Sequence, residues 1–559
     1  MRHPAAVLSC VVALAVFPHL AAGQRACGTS VDPYDSGGVL DPAEAAYDVG
    51  YYDLAVSVNP SDSTLAGRLA LHAVTVAPAA RMAFDLDTLL AIEGVMLLDR
   101  DGASARRWER CGGRVFVDYP RTLQPGESFA LEITYGGRPR IAPRPPWDGG
   151  VTWARTPSGA PWIATSNQMI GADVWWPVKD HVSDKPDSVS IAVTVPGGLV
   201  VASNGRLRTV TDLPDGRRTW HWFVSTPISS YNVALNIAPY ETIDTTIASV
   251  AGDSIPVTFF VLPEDYEKGL RLFPEILAHL QWYERRVGPY AFRADKYGVA
   301  QTPHLGMEHQ SIIAYGANFD NRSMTRGADW GFDALHHHEL AHEWWGNLVT
   351  NADWKDMWVH EGFGTYMQAL YLEDTQGGER AQAYMESIRR WVNPRATVAP
   401  RQSQSAQSIY DGHDIYFKGA WVLHTLRGLV GDDAFFRALR RMAYPDSALA
   451  LTTDGSAVRF VSTADFETIA ETESGQELSW FFDVYLHRPE LPVLASQERA
   501  GSLTLEWKTA GDGPFPLPVE VRIGKDVHRV DMPGGRATIA VPEGAEVVID
   551  PAGRILRDM

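Results

Sequence analysis

The sequence predicts a multidomain α+β protein. A β-rich N-terminal domain spans residues 40–245, a mainly helical domain 246–490 and a small C-terminal β domain 491–559, after a signal peptide at 1–23. Three observations carry this reading. At 559 residues the chain exceeds what one hydrophobic core organises. From Tyr47 to Tyr240 apolar and polar residues alternate with period two between Gly and Pro breaks, as at 52–58 and 190–195, and these runs read as antiparallel strands. Near residue 264 the period changes. Leu270, Phe273, Leu277, Leu280 and Tyr283 recur at helical spacing up to Gly288-Pro289. Helical texture then continues to about Leu486, with one strand-like run at 297–300. Alternation returns at 503–507, 519–523 and 546–550, which defines the terminal β domain.

Composition narrows the function classes. The chain is 45% hydrophobic and 21% charged, which excludes a disordered or collagenous protein. Its formal net charge of −19 argues against a nucleic-acid partner or an anionic membrane surface. The N-terminus has Arg2, then thirteen residues without a charge from Ala5 to Phe17, then small residues Ala21, Ala22 and Gly23. That pattern predicts a cleaved signal peptide rather than an anchor, since the apolar stretch is too short to span a bilayer and Pro18 interrupts it. The mature protein is therefore expected to be exported, periplasmic or secreted, without stable membrane insertion. Of the three cysteines Cys10 leaves with the signal. Cys27 and Cys111 either pair in an oxidising compartment or stay separate, and neither sits in a metal-binding spacing.

The chemistry concentrates at His336-His337-His338-Glu339-Leu340-Ala341-His342. His338 and His342 are four apart and share one helical face, where two imidazoles can coordinate one Zn²⁺. Glu339 can face a water at the metal. A catalytic zinc needs a third protein ligand and an open position. Glu361 follows His342 after eighteen residues, past the turn-like Asn351-Ala352-Asp353, and opens an amphipathic segment with Phe363, Met367, Leu370 and Tyr371. Two helices joined by a loop would bring it to the histidine pair. His336, His337 and His360 are competing donors, but they lie off the His338/His342 face and are assigned beside the metal shell or on the surface.

With these residues the segment 338–366 resembles the M1 family of zinc aminopeptidases, whose pattern is H-E-x-x-H-x-W-x-G-N followed by W-x-x-x-W-x-x-E-G-F. His360 stands where the family usually has Asn. The resemblance implies a thermolysin-like catalytic domain holding one Zn²⁺ per chain on His338, His342 and Glu361, with Glu339 as catalytic base. Gly306-Met307-Glu308-His309-Gln310 resembles the family's G-x-M-E-N motif, which assigns substrate-amine binding to Glu308 with Gly306 and Met307; Leu305 and His309 depart from the usual residues. Tyr416-Phe417-Lys418-Gly419-Ala420 resembles the Y-x-K-G-A helix start, so Tyr416 inherits the oxyanion-donor role, with Tyr410 a weaker candidate for the same pocket. Counting back from Trp176-Pro177 places Gln168 where most members carry a second amine-binding Glu. The long helical C-terminal domain of many members has no counterpart.

The expected activity is removal of N-terminal residues from peptides with free N-termini. Three alternatives stand beside it: a zinc endopeptidase, an epoxide-hydrolase-like member of the family, and a non-catalytic peptide-binding scaffold. Side-chain preference and oligomeric state are not readable from the sequence.

Overall fold

The computed structural model describes residues 34–100, 102–499, 501–511 and 513–558. The signal-peptide expectation and Cys27 lie outside them, and Cys111 is disulfide-bonded. The N-terminal region is built on an eight-stranded sheet in which Tyr47–Asn59 lies between Thr64–Thr75 and Ser188–Pro196. Alternating burial along Tyr47–Asn59 puts Tyr52, Leu54, Val56 and Val58 into the core. One expectation is corrected here. The runs at 52–58 and 190–195, read as antiparallel strands, do pair antiparallel with Thr64–Thr75 and Arg217–Val224 respectively, but they pair with each other in parallel, Tyr52 opposite Val189 and Val56 opposite Val193. Alternation reports which face is buried, not the direction of the neighbour, and the long intervening chain leaves room for the crossover that a parallel pair requires.

A four-stranded sheet carries Pro161–Ser166 between Asn236–Ala238 and Gly150–Arg155. Its end delivers Asn167 and Gln168 towards the catalytic region. A five-stranded sheet follows, made of β1 (Glu241–Ala248), β2 (Ser254–Val261), β3 (Tyr297–Gln301), β4 (Gly306–Met307) and β5 (Ile313–Tyr315). Their spatial order is β1-β2-β3-β5-β4, so β4 is an edge strand. Between β2 and β3 runs α1 (Tyr266–Arg286), whose Phe273, Leu280 and Tyr283 are buried as their spacing requires. Leu270 shares that spacing but is exposed.

The helices that matter for the site are α2 (Ala334–Ala341), α3 (Trp358–Gln376), α4 (Gly378–Arg389), α5 (Ala406–Gly412) and α6 (Phe417–Val430). The expectation for α3 was an amphipathic helix. Instead nearly every residue from Trp358 to Leu372 is buried, because α2, α4 and α6 surround it. Its polar residues Glu361, Thr365 and Gln368 face the catalytic cavity rather than bulk solvent. The C-terminal region forms two three-stranded sheets. Their Leu503, Leu505, Trp507 and Leu517 join the same apolar core as the catalytic helices. No helix among the described residues is long and apolar enough to cross a membrane.

Candidate active site

Asp333 caps α2, its carboxylate accepting from His336 N at 3.0 Å. The helix then projects His338 and His342 from one face, rings 4.8 Å apart, and ends where Asn347 N returns to His342 O. Glu361 comes from the first turn of α3. His338 Nε2 lies 3.2 Å from both Glu361 Oε2 and His342 Nε2, and His342 Nε2 lies 3.5 Å from Glu361 Oε2. All three residues are buried, and they are the single His/Cys/Asp/Glu group among the described residues with metal-holding geometry. A tetrahedral zinc with bonds of about 2.0–2.1 Å has ligand atoms roughly 3.3–3.4 Å apart, so the donor set fits the ion. His342 Nδ1 faces Trp345 O at 2.9 Å. A carbonyl only accepts, so the proton sits on Nδ1 and Nε2 offers its lone pair to the centre.

The glycines and the lysine of these segments have physical reasons. A Cβ on Gly364 would press on the His338 and His342 rings at 3.3–3.4 Å. Gly362 and Gly419 meet backbone to backbone, a hypothetical Cβ on either lying 3.1 Å from the other, so α3 and α6 cross closely. That crossing sets Tyr416, the residue before α6, over the site with its ring 6.2 Å from that of His338. Lys418 is buried and donates to Ala396 O, Arg488 O and Pro489 O at 2.9–3.0 Å, tying the start of α6 to the segments at 396 and 488–489.

Glu308 is buried beside this centre, its Oε1 accepting from Tyr231 OH at 3.0 Å and from Gln168 Nε2. Asn347 Nδ2 holds Glu308 O at 3.1 Å, and Glu343 Oε1 accepts from Ser311 N at 2.7 Å. The residues flanking the histidine motif therefore clamp the loop that carries Glu308. Gly306 packs against Glu339 and Leu335, where a Cβ would overlap both side chains. All nine site residues expected from the sequence come together: Gln168, Gly306, Met307, Glu308, His338, Glu339, His342, Glu361 and Tyr416 line one cavity of about 450 Å³. Tyr410 lines it as well.

The three competing histidines are buried, and none is on the surface. His336 bonds Tyr297 OH and His279, His337 bonds Tyr283, and His360 Nε2 accepts from Asn351 N. Tyr231 was missed. It lies 77 residues before Glu308 in the chain, and no local pattern marks it.

Electrostatics follow from burial and crowding. Burial pushes Glu339 well above the usual carboxylate range; His342 opposes this, while Glu308 and Glu361 add to it. Burial opposes charge on His342, but Glu361, Glu308 and Glu339 outweigh it and push the imidazole up to about 10. So many buried carboxylates demand positive charge at their centre, as a bound cation supplies. Burial, then Glu361 and Tyr410, keep the Tyr416 phenol protonated and able to donate.

Two imidazoles on one helix and a carboxylate from the next, with a further glutamate beside them, make a donor set suited to one metal ion. Residues 277–485 match the peptidase family M1 domain. It is 27% identical over 338 residues to an aminopeptidase N of Streptomyces lividans, covering 56% of this chain and 36% of that protein. Human endoplasmic reticulum aminopeptidase 1 is 25% identical over 298 residues, covering 50% and 31%. The chain thus spans about a third of the length of these two relatives. The crystal structure of an M1 zinc metallopeptidase from Deinococcus radiodurans superposes with TM-score 0.64 at 26% identity, covering 80% of this chain and 94% of that one. A variant of that protein bound to a Tyr-Ser-Ala substrate gives the same TM-score.

Proposed function

We propose that the protein is a zinc aminopeptidase that hydrolyses the N-terminal peptide bond of peptides. The observation that carries this reading is Glu308, a carboxylate inside the metal cavity whose two recorded side-chain donors, Tyr231 and Gln168, fall on one oxygen. A carboxylate has about four lone-pair sites, so capacity remains for a substrate ammonium. An ammonium held there places the first peptide bond at the metal and measures one residue from the N-terminus.

His338, His342 and Glu361 would hold the zinc, which when bound supplies Lewis acidity and lowers the pKa of a water. Glu339, free of the ligand set and raised by burial, takes a proton from that water on its carboxylate and delivers it to the leaving amine. Tyr416 donates its phenolic hydrogen to the oxyanion as charge develops there. β4, at the sheet edge beside the cavity, offers unpaired backbone to an extended peptide. Export to the periplasm or medium belongs to the same proposal, on the strength of the N-terminal sequence.

The reading is tested with aminoacyl and N-acetylated fluorogenic substrates, with and without chelator. Chelator-sensitive cleavage confined to free amines is expected. Equal cleavage of capped peptides would replace it with the endopeptidase reading.

A further inference from the structure

The cavity continues past the metal centre, away from Glu308. Glu308 is held by Asn347, beyond the C-terminal end of α2, and Gln368 Nε2 bonds Ala334 O at the other end of that helix. From His342 back to Leu335 is seven residues, about 10 Å of helix. A peptide anchored by its amine at Glu308 therefore sends its leaving portion towards the N-terminus of α2. The walls there come from Trp330 and the loop before it, and from the end of α4.

Two arginines line that end. The Arg326 guanidinium stacks on Trp391, 3.5 Å from the ring centroid, and lies 5.9 Å from the ring of Phe417, the neighbour of Tyr416. Arg390 lies 5.4 Å from the Trp391 ring. Among the described residues neither makes an ion pair. In contrast, Arg389, next in sequence, and Arg427 are paired with carboxylates. A guanidinium stacked by its face on an indole keeps its N–H donors in plane and is preorganised for a bidentate anion. Both arginines are solvent-exposed where they line the cavity, so their charge is open to a ligand.

We propose that Arg326 and Arg390, arranged about Trp391, form a carboxylate-binding site for the leaving portion of the substrate. It takes the free C-terminus of a short peptide or an acidic side chain near the cleaved bond. The inference rests on the aminopeptidase reading for the direction of the substrate and adds a preference for short or acidic peptides.

The test uses three probes: Tyr-Ser-Ala, its C-terminal amide, and Tyr-Ser-Glu amide. kcat/KM is measured for the wild type, Arg326→Gln, Arg390→Gln and the double variant. Kd is measured by calorimetry with each variant in a Glu339→Gln background, where turnover is blocked. The acid is expected to exceed the amide about tenfold in the wild type, the worth of one partly exposed charge-assisted contact. The ratio is expected to fall to about one in the double variant, and to shrink in the wild type at 1 M salt. If the Glu-containing amide matches the acid, side-chain carboxylates are accepted; if it matches the plain amide, the site reads the C-terminus alone. Equal values for acid and amide in the wild type, or a ratio that survives in the double variant, would overturn the proposal. Should the wild type cleave none of the probes, the aminopeptidase reading fails, and the Kd ratio still decides the arginine site.

Discussion

Replacing Glu308 by Gln tests most directly what would make this metal site an exopeptidase. Gln keeps the volume, and its amide oxygen can still accept from Tyr231 and Gln168, so the local packing survives. The charge does not. At 3% exposure Glu308 is shielded from water, so its contact with an ammonium is worth the full range for a charge-assisted hydrogen bond. That range is about 1.5–3 kcal/mol. At about 1.4 kcal/mol per decade the loss in kcat/KM is roughly 10- to 150-fold. N-acetylated substrates carry no ammonium and should not be slowed further. The assay is therefore the ratio of kcat/KM for free-amine and N-acetylated forms of one peptide, in wild type and variant. A sharp fall in that ratio is expected. A ratio unchanged by Glu308→Gln would refute the assignment, because a buried carboxylate that reads the amine cannot lose its charge without loss of discrimination. Tyr231→Phe provides a graded companion. It removes one donor to Glu308 Oε1 and should cost about three- to tenfold on the free amine.

The remaining expectations concern the metal and the groups around it. His342→Ala should lose both zinc and activity, read by elemental analysis of the purified variant; unchanged zinc would exclude this ligand set. Glu339→Gln should retain the metal while kcat falls by about 10²–10⁴, the range for a lost general base. Tyr416→Phe should lower kcat by roughly 10²–10³ with little change in KM. A near-normal kcat would mean that another group holds the oxyanion. Gly306→Ala pushes a methyl into the Glu339 carboxylate and Leu335, so kcat should drop with zinc content unchanged; wild-type kcat in this variant would show that β4 shifts without cost.

Much of the metal centre was legible because its ligands are tied to local geometry. Two histidines four residues apart share a face in any helix, and the distance to Glu361 is the length of one connection and one turn. The motifs around Glu308 and Tyr416 were legible through resemblance to a family, and the structure supplies their physical content. Gly362 and Gly419 are there so that two helices can touch, and Asn347 so that the Glu308 loop is held. The direction of strand pairing was not legible. Residues 52–58 and 190–195 alternate equally well whichever way the neighbour runs, and each has one antiparallel neighbour and one parallel neighbour. The histidines beside the motif were also out of reach, since helical position alone does not reveal that Tyr297, Tyr283 and Asn351 wait for them.

By itself the sequence determined three successive kinds of local structure and a donor set able to hold one metal ion, because periodicity and spacing are properties of a single segment. Only the tertiary structure decided what stands around that donor set. Tyr231 reaches Glu308 from 77 residues away, and Gln168 arrives from a different sheet. Arg326 reaches the Trp391 ring from a loop 65 residues earlier in the chain. Such meetings are set by how buried surfaces pack against one another, so no window of sequence short enough to show a pattern contains them.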